Sequence, residues 1–229
     1  MTRPPRPDPL PVVPESIPDT LTADETWVCW RYVWNRDRDE WTKLPIDVAT
    51  GEAASATDPE TWSSFEKALQ HYEDTENMDG VGYVVTEDDL LVGLDLDDCV
   101  DPETGDIDPW ARDVVADVPT YWEQSPSGTG LRGFGLANLP DGRTRADVED
   151  ADGHIEVYED ERYLTLTGVE IEASTPDVEQ VNSEVQALHT EYLARDPTPT
   201  VEDGGTTVAN PTPDADKSGS SDRSAAEIV

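Results

Sequence analysis

Alternating apolar and polar positions predict most of the strands in this chain. The alternation marks eight segments: 27–34, 40–46, 81–86, 90–97, 120–124, 131–137, 154–159 and 162–167. The first two segments are predicted to pair across a charged turn, and the next two to form a hairpin. In the fourth segment Val92, Leu94 and Leu96 share one face, which places Asp95 and Asp97 together on the other.

Helices are predicted between these strands where a capping residue precedes a proline. Such pairs stand at positions 58–59, 108–109 and 175–176, each followed by apolar residues at helical spacing. The third is predicted to be a long helix. Helices that interleave with paired strands predict an α+β fold, a mixed or antiparallel sheet with flanking helices.

Composition divides the chain into three parts. Residues 1–22 are proline-rich and predict an extended arm, and residues 23–196 have the length of one domain. Residues 197–229 lack aromatic side chains and predict a disordered linker tail. Because Ser224 and Glu227 have capping-box spacing just before the last residue, we expect the tail to lead to a missing C-terminal module.

The charge balance is strongly acidic, with 52 Asp and Glu against 15 Lys and Arg and a formal net charge of -37. Such a surface predicts a halophile's cytoplasm, where net charge keeps proteins soluble. An acidic disordered chaperone or DNA mimic does not fit the seven tryptophans and the regular strand patterns. The sequence has no run of 18 apolar residues, so we expect no membrane partner.

Asp95 and Asp97 are informative only through their flanks. In so acidic a chain, an acid-x-acid triplet is expected roughly a dozen times by chance, and a solvated acidic face is the alternative interpretation. On a strand, however, two carboxylates at i and i+2 can converge on one metal ion or on a pair about 4 Å apart. All-carboxylate ligands favour Mg²⁺ or Mn²⁺ over zinc.

A loop of small residues follows at 125–130, Ser-Pro-Ser-Gly-Thr-Gly, between two apolar segments. Most serine-glycine loops are simple turns. Here Gly128 and Gly130 are free to adopt positive φ and present backbone N–H groups to an anion. The sequence contains neither a Walker loop nor a dinucleotide fingerprint.

Segments 93–99, 125–132, 155–158 and 162–168 together resemble the three motifs of the archaeo-eukaryotic primase superfamily, in the same order. The likeness is greatest to the primase-polymerases of phages, plasmids and integrated elements. It extends upstream to segments 41–45 and 54–62, and so covers about residues 25–170.

The resemblance implies roles for individual residues. Asp95, Asp97 and Glu156 would be the catalytic acids and the ligands of Mg²⁺ or Mn²⁺. The implied nucleotide contacts are Lys43, Ser125, Ser127, Gly128, Gly130, Arg132 and Arg162. At Arg132 the family usually has a histidine; arginine retains phosphate binding but cannot act as a neutral imidazole.

The first functional hypothesis is therefore metal-dependent nucleotidyl transfer: a DNA primase-polymerase that uses NTP or dNTP and a single-stranded DNA template, and works with a helicase or helical C-terminal module. The second is a replication module that binds nucleotide or DNA but has weakened catalysis, which the arginine at position 132 favours. A nucleotide-sugar transferase would explain the acid pair but neither the serine loop nor the strands that carry Glu156 and Arg162.

Overall fold

The computed structural model describes residues 3–87 and 90–194 and forms two β-sheets flanked by short helices. The strands are β1 (Trp27–Asn35), β2 (Glu40–Ile46), β3 (Gly80–Val85), β4 (Leu91–Asp97), β5 (Tyr121–Gln124), β6 (Leu131–Leu136), β7 (Arg145–Asp147), β8 (His154–Tyr158), β9 (Arg162–Leu166) and β10 (Glu179–Gln180). The α-helices are α1 (Asp19–Thr22), α2 (Phe65–Asp74), α3 (Pro109–Asp117) and α4 (Asn182–Leu188). The predicted α+β class is confirmed.

The first sheet has the strand order β2-β1-β3-β9, and all its neighbours are antiparallel. The second has the order β10-β6-β4-β8-β7, and β5 pairs with β6 as well. In the second sheet only the short β10 runs parallel to its neighbour among the described strands. The strand that carries both aspartates, β4, therefore lies in the middle of a sheet.

The predicted hairpin between β3 and β4 is wrong, although the paired β1 and β2 are confirmed. Strand β3 pairs with β1 and β9, whereas β4 pairs with β6 and β8. Both strands have both edges filled by more distant partners. Apolar alternation shows which face of a strand is buried, but it does not identify the strand at each edge.

Two predicted helix starts are also wrong. The Asp58 carboxylate accepts the Glu60 N–H and caps only a 3₁₀ turn, Pro59–Thr61, and α2 begins four residues later. After residue 176 the chain first adds β10 to the second sheet, and α4 begins at Asn182. A β-type hydrogen bond from the Val181 N–H to the Leu136 carbonyl holds this segment against β6.

The two faces of the second sheet have different neighbours. Leu94 and Leu96 are fully buried with α3 and α4 against one face, as predicted. The opposite face is covered by the first sheet, where a Cβ at Gly93 would overlap the Leu164 side chain of β9. Asp95 points to this second face and is consequently buried between the sheets.

The proline-rich segment lies along the domain from residue 3 onward. The Arg6 guanidinium pairs with the buried Asp79 carboxylate at 2.5 Å. Further along, the Leu10 N–H donates to the Pro126 carbonyl at 2.9 Å, and the Val13 N–H donates to Thr167 at 2.6 Å. This segment therefore contacts the serine-glycine loop directly.

The expected linker tail lies outside the described residues.

Cys29 and Cys99, the two cysteines of the chain, are both buried free thiols. Across residues 3–87 and 90–194, none of the helices has the length and apolarity needed to cross a membrane.

Candidate active site

A row of charged side chains crosses five strands of the second sheet. In strand order the direct cross-strand partners are Glu123 on β5, Arg132 on β6, Asp95 on β4, Glu156 on β8 and Arg145 on β7. Directly opposite residues on antiparallel strands present their side chains on the same face, about 4.5–5.5 Å apart at Cβ. The register therefore assembles residues from positions 95, 132 and 156 into one site.

The centre of this row is a buried ion pair. The Arg132 Nε and Nη2 donate to the two Asp95 carboxylate oxygens, each at 3.1 Å. The remaining Nη1 donates to the Thr165 carbonyl at 2.7 Å and to the Thr165 hydroxyl. Burial disfavours the guanidinium charge, but the neighbouring Asp95 carboxylate raises the pKa of Arg132. The expected phosphate contact of Arg132 is not visible here, because all three guanidinium nitrogens bond to protein atoms.

Glu156 lies beside this pair and is also fully engaged. One carboxylate oxygen accepts from Arg145 at 2.7 Å, and the other accepts from the Tyr158 hydroxyl. Arg162 extends the network, since its Nη2 donates to the Tyr158 hydroxyl at 2.9 Å and its guanidinium lies 4.5 Å from the centre of that ring. Arg162 is solvent-exposed, so its charge faces the entrance of the site.

A second row lies two residue pairs further along β4, on the same face. The His154 Nε2 lies 3.0 Å from the Asp97 carboxylate and 3.7 Å from that of Glu156. Burial raises the pKa of Asp97, the negative charge of Asp95 raises it further, and Arg132 and His154 act in the opposite direction. The two aspartates are therefore like charges on one partly desolvated face, an environment that a cation would stabilise.

The serine-glycine loop packs against the end of β4. A Cβ at Gly130 would lie 2.6 Å from the Leu96 carbonyl oxygen and 3.4 Å from the Asp97 Cα, so only glycine allows this approach. Gly128 has the predicted positive φ, at 73°, whereas Gly130 does not. The Gly128 N–H donates to the Ser125 carbonyl at 2.8 Å, so this N–H group is already used within the turn.

The loop also carries a chain of hydroxyl groups. Ser125 and Thr129 each lie 3.0 Å, oxygen to oxygen, from the Ser127 hydroxyl. Ser125 is buried and Ser127 is exposed. Of the three loop hydroxyl groups, that of Ser127 is therefore the most open to a ligand.

One cavity of about 270 Å³ collects half of the predicted site residues. Its lining includes Lys43, Asp95, Arg132, Glu156 and Arg162. Asp97 and the loop residues 125–130 do not line it, but adjoin it at the end of β4. The first sheet supplies the opposite wall, including Tyr163 and Thr165 of β9.

Lys43 is a cation on that opposite wall. Its Nζ lies 5.6 Å from the centre of the Trp30 ring, and its backbone carbonyl accepts the Tyr163 hydroxyl at 2.6 Å. Burial and the positive charge of Arg132 lower the pKa of Lys43 to about 8, while Asp95 and Asp97 act in the opposite direction. Lys43 thus faces the acids across the cavity.

Comparison with known proteins agrees with this geometry. Over 175 residues the chain is 32% identical to the DNA primase-polymerase of Nitratiruptor phage NrS-1, a match that takes in 75% of the chain. This stretch of the chain belongs to the primase-polymerase family. The chain spans only 23% of the length of that phage protein. No family model matches the chain.

The primase-polymerase domain contains site residues that the sequence did not single out. His154, Arg145 and Thr165 were not among the predicted site residues. Strand register in the second sheet joins His154 to Asp97 and Arg145 to Glu156, whereas packing of the two sheets brings Thr165 of β9 to Arg132. Only His154, two positions before Glu156 on an alternating segment, could have been found from the sequence.

The three acids have the ligand chemistry that a divalent cation prefers. Asp95, Asp97 and Glu156 are hard oxygen donors on one face. Burial, and after it the charge of Asp95, raises the pKa of Asp97, so a cation here would favour its charged form. Within the described residues, however, no three acidic, histidine or cysteine side chains are arranged to hold an ion. Each carboxylate instead bonds to a basic or hydroxyl group of the protein.

Proposed function

We propose that this domain catalyses metal-dependent nucleotidyl transfer, the reaction of a DNA primase-polymerase. The observation that carries the proposal is the placement of Asp95 and Glu156, on neighbouring strands, in one cavity with Lys43 and Arg162, while Asp97 shares the face of Asp95 on β4. Acids for metal ions and cations for phosphates, on facing walls of one cavity, are the groups that phosphoryl transfer needs. The substrates would be NTP or dNTP on a single-stranded DNA template.

Asp95, Asp97 and Glu156 would hold Mg²⁺ or Mn²⁺. When bound, such ions activate an attacking 3′-hydroxyl and neutralise the charge of the leaving pyrophosphate. Lys43 and Arg162 would bind and orient the triphosphate from the opposite wall and the entrance.

Arg132 would act by fixing Asp95 rather than by contacting phosphate. Its bidentate bond holds the carboxylate in one rotamer, and its bonds to Thr165 anchor the guanidinium to the first sheet. A planar guanidinium makes this two-sided contact in a way that a lysine or histidine does not. Arg132 is thus proposed as a positioning residue.

The biological setting would be replication of a phage, plasmid or integrated element, with duplex unwinding supplied by a helicase or helical module. This part of the proposal rests on the relationship to the phage protein, whose much greater length leaves room for further modules. An interaction assay between this domain and a candidate helicase encoded by the same element would test it.

One observation favours a second candidate, a nucleotide- or DNA-binding module with weakened turnover. Both Asp95 oxygens bond to Arg132, so a metal ion would have to compete with a buried ion pair for this ligand. Such a module would bind nucleotide while adding none to a primer.

Single-nucleotide addition separates the two candidates. A short primer annealed to a longer template, with each NTP or dNTP and with Mg²⁺ or Mn²⁺, tests chemistry without requiring processivity. Extension by the templated nucleotide supports the transferase. Nucleotide binding by calorimetry with no extension under any of these conditions supports the binding module.

A further inference from the structure

A second groove, separate from the acidic cavity, is lined by arginines. It has a volume of about 440 Å³, and four of its nine lining residues are Arg3, Arg6, Arg31 and Arg36. The whole chain has only 15 lysines and arginines against 52 acids. Four of those 15 cations in one groove is a local reversal of the overall charge, and such a reversal attracts an anionic partner.

Only one of these four arginines forms an ion pair within the described residues. Arg6 pairs with Asp79, and Arg3 stacks on an aromatic ring. Neither Arg31 nor Arg36 forms an ion pair with any residue in the part of the chain that the structure describes. In so acidic a protein, guanidinium groups without a carboxylate partner are available to an external anion.

Aromatic side chains lie between the arginines. Trp34 of β1 and Trp41 of β2 are direct cross-strand partners, and their rings meet edge to face with centres 5.5 Å apart. The Arg3 guanidinium lies 3.7 Å from the centre of the Trp41 ring and 5.1 Å from that of Trp34. Both tryptophans are only partly buried at this end of the sheet.

The groove continues toward the acidic cavity. Tyr32, which lines the groove, is the direct cross-strand partner of Lys43, which lines the cavity. One residue pair of β1 and β2 therefore borders both sites. A linear polymer that lay in the groove could continue past Lys43 into the cavity that Asp95 and Glu156 line.

We infer that this groove binds single-stranded nucleic acid. Guanidinium groups bind backbone phosphates, and tryptophan rings and an arginine plane stack on unpaired bases whatever their sequence. A duplex would offer the phosphates but not the base faces. The inference extends the proposed function by placing the template strand, yet strand binding is measurable without catalysis.

The test is binding of fluorescein-labelled dT15 to the full chain by anisotropy, in EDTA and without nucleotide. Trp34→Ala should weaken binding about tenfold through lost stacking, and Trp34→Phe should retain most of the affinity. The double change Arg31→Ala and Arg36→Ala should weaken binding at least tenfold. It should also reduce the slope of log K against log[KCl] by about 1.4, because each phosphate contact on a single strand contributes about 0.7.

Arg112→Ala is the matched control. Arg112 is exposed on α3 and lines a different cavity with Ile107 and Ile171, so its loss removes one arginine charge outside the groove, against two in the groove variant. Its effect should stay within twofold. Circular dichroism of every variant checks that the fold is retained.

Three outcomes overturn the inference. Arg112→Ala could weaken dT15 binding as much as the groove changes do, or the groove changes could leave dT15 binding unaltered. Polyglutamate could also bind as tightly as dT15 and depend equally on Arg31 and Arg36. The last would make the groove a site for acidic polypeptide. Groove-dependent binding of dT15 without nucleotide addition would support the groove and count against the transferase. Nucleotide addition by the wild type, with dT15 binding that does not depend on the groove residues, would support the transferase and count against the groove.

Discussion

Arg132 and Asp95 form the buried centre of the site, and their pairing depends on register. The parity of Asp95 and Asp97 along β4 was predictable, because alternation with leucines fixes the face. The ion pair between Asp95 and Arg132 was not predictable, because neither segment contains a signal for which residues of β4 and β6 lie opposite each other. Arg132 was consequently expected at a phosphate, and the structure places it on an acid.

A double-mutant cycle tests this ion pair. Removing one partner leaves an uncompensated buried charge, so Arg132→Ala and Asp95→Asn should each lower the free energy of unfolding by about 3 kcal/mol. The combined variant should lose much less than the sum of the two. Urea unfolding of the four proteins measures the coupling, and strictly additive losses would contradict the pair. Asp95→Asn is therefore expected to weaken the fold as well as any catalysis.

Glu123, at the other end of the charged row, gives a pH dependence. Its buried carboxylate accepts the Thr167 and Gly168 N–H groups and the Tyr121 hydroxyl. Burial raises the pKa of Glu123 to about 7, and these hydrogen bonds act in the opposite direction. The folded state therefore holds the proton more tightly than the unfolded chain does.

That proton stabilises the fold fully below the ordinary glutamate pKa and is lost as pH rises through about 7. The free energy of unfolding should fall by up to about 3 kcal/mol between pH 5 and pH 8. Glu123→Gln should remove most of this slope, and Glu103→Gln, at an exposed acid, should leave it unchanged. Urea titrations across the pH range measure it; equal slopes in wild type and Glu123→Gln would refute the assignment.

At the scale of elements, the sequence predicted where strands and helices lie better than it predicted which strands pair. The strands near 120–124, 131–137, 154–159 and 162–167 and the helix that begins after Asp108 are confirmed. The β3–β4 hairpin and the helix start after residue 175 were wrong because tertiary pairing at the edges of β3 and β6 overrode local signals. The helix start at Asp58 was wrong as well: Ser63 bridges to Trp27 of β1 between the Pro59–Thr61 turn and α2. Capping residues and prolines mark where a turn begins without stating how long the helix continues.

The serine-glycine loop offers a comparison of two glycines. Gly130→Ala should lower the free energy of unfolding by about 1–3 kcal/mol and push the loop away from β4, since the new Cβ meets a backbone carbonyl. Gly128→Ala meets no atom within 4 Å and bears only the cost of its positive φ, about 1 kcal/mol. Urea unfolding ranks the two variants, and a larger loss for Gly128→Ala would contradict the packing described.

At the scale of the whole molecule, the net charge of -37 governs stability. Self-repulsion of so many acids destabilises the folded state, and salt screens it. The free energy of unfolding should therefore rise between 0.2 and 2 M KCl, roughly the range over which the Debye length falls below about 7 Å. Urea unfolding at each concentration measures the rise. No rise would count against the expected halophilic origin, which remains a prediction.

The central claim is that the acids of β4 support nucleotidyl transfer, and Asp97→Asn tests it with the least structural disturbance. Asp97 lies outside the Arg132 pair, with 36% of its side chain exposed. The neighbouring Asp98 is exposed and turns away with φ at 53°, a conformation that asparagine also adopts. Asp98→Asn thus removes the same charge one residue away.

The measurement is the rate of single-nucleotide addition to a primed template with Mn²⁺ or Mg²⁺. Wild type and Asp98→Asn should extend the primer at similar rates, and Asp97→Asn should be at least about 100-fold slower, because a transition-state charge loses its metal support. Extension by Asp97→Asn at the wild-type rate, or no extension by wild type with any nucleotide and either metal, would contradict the account.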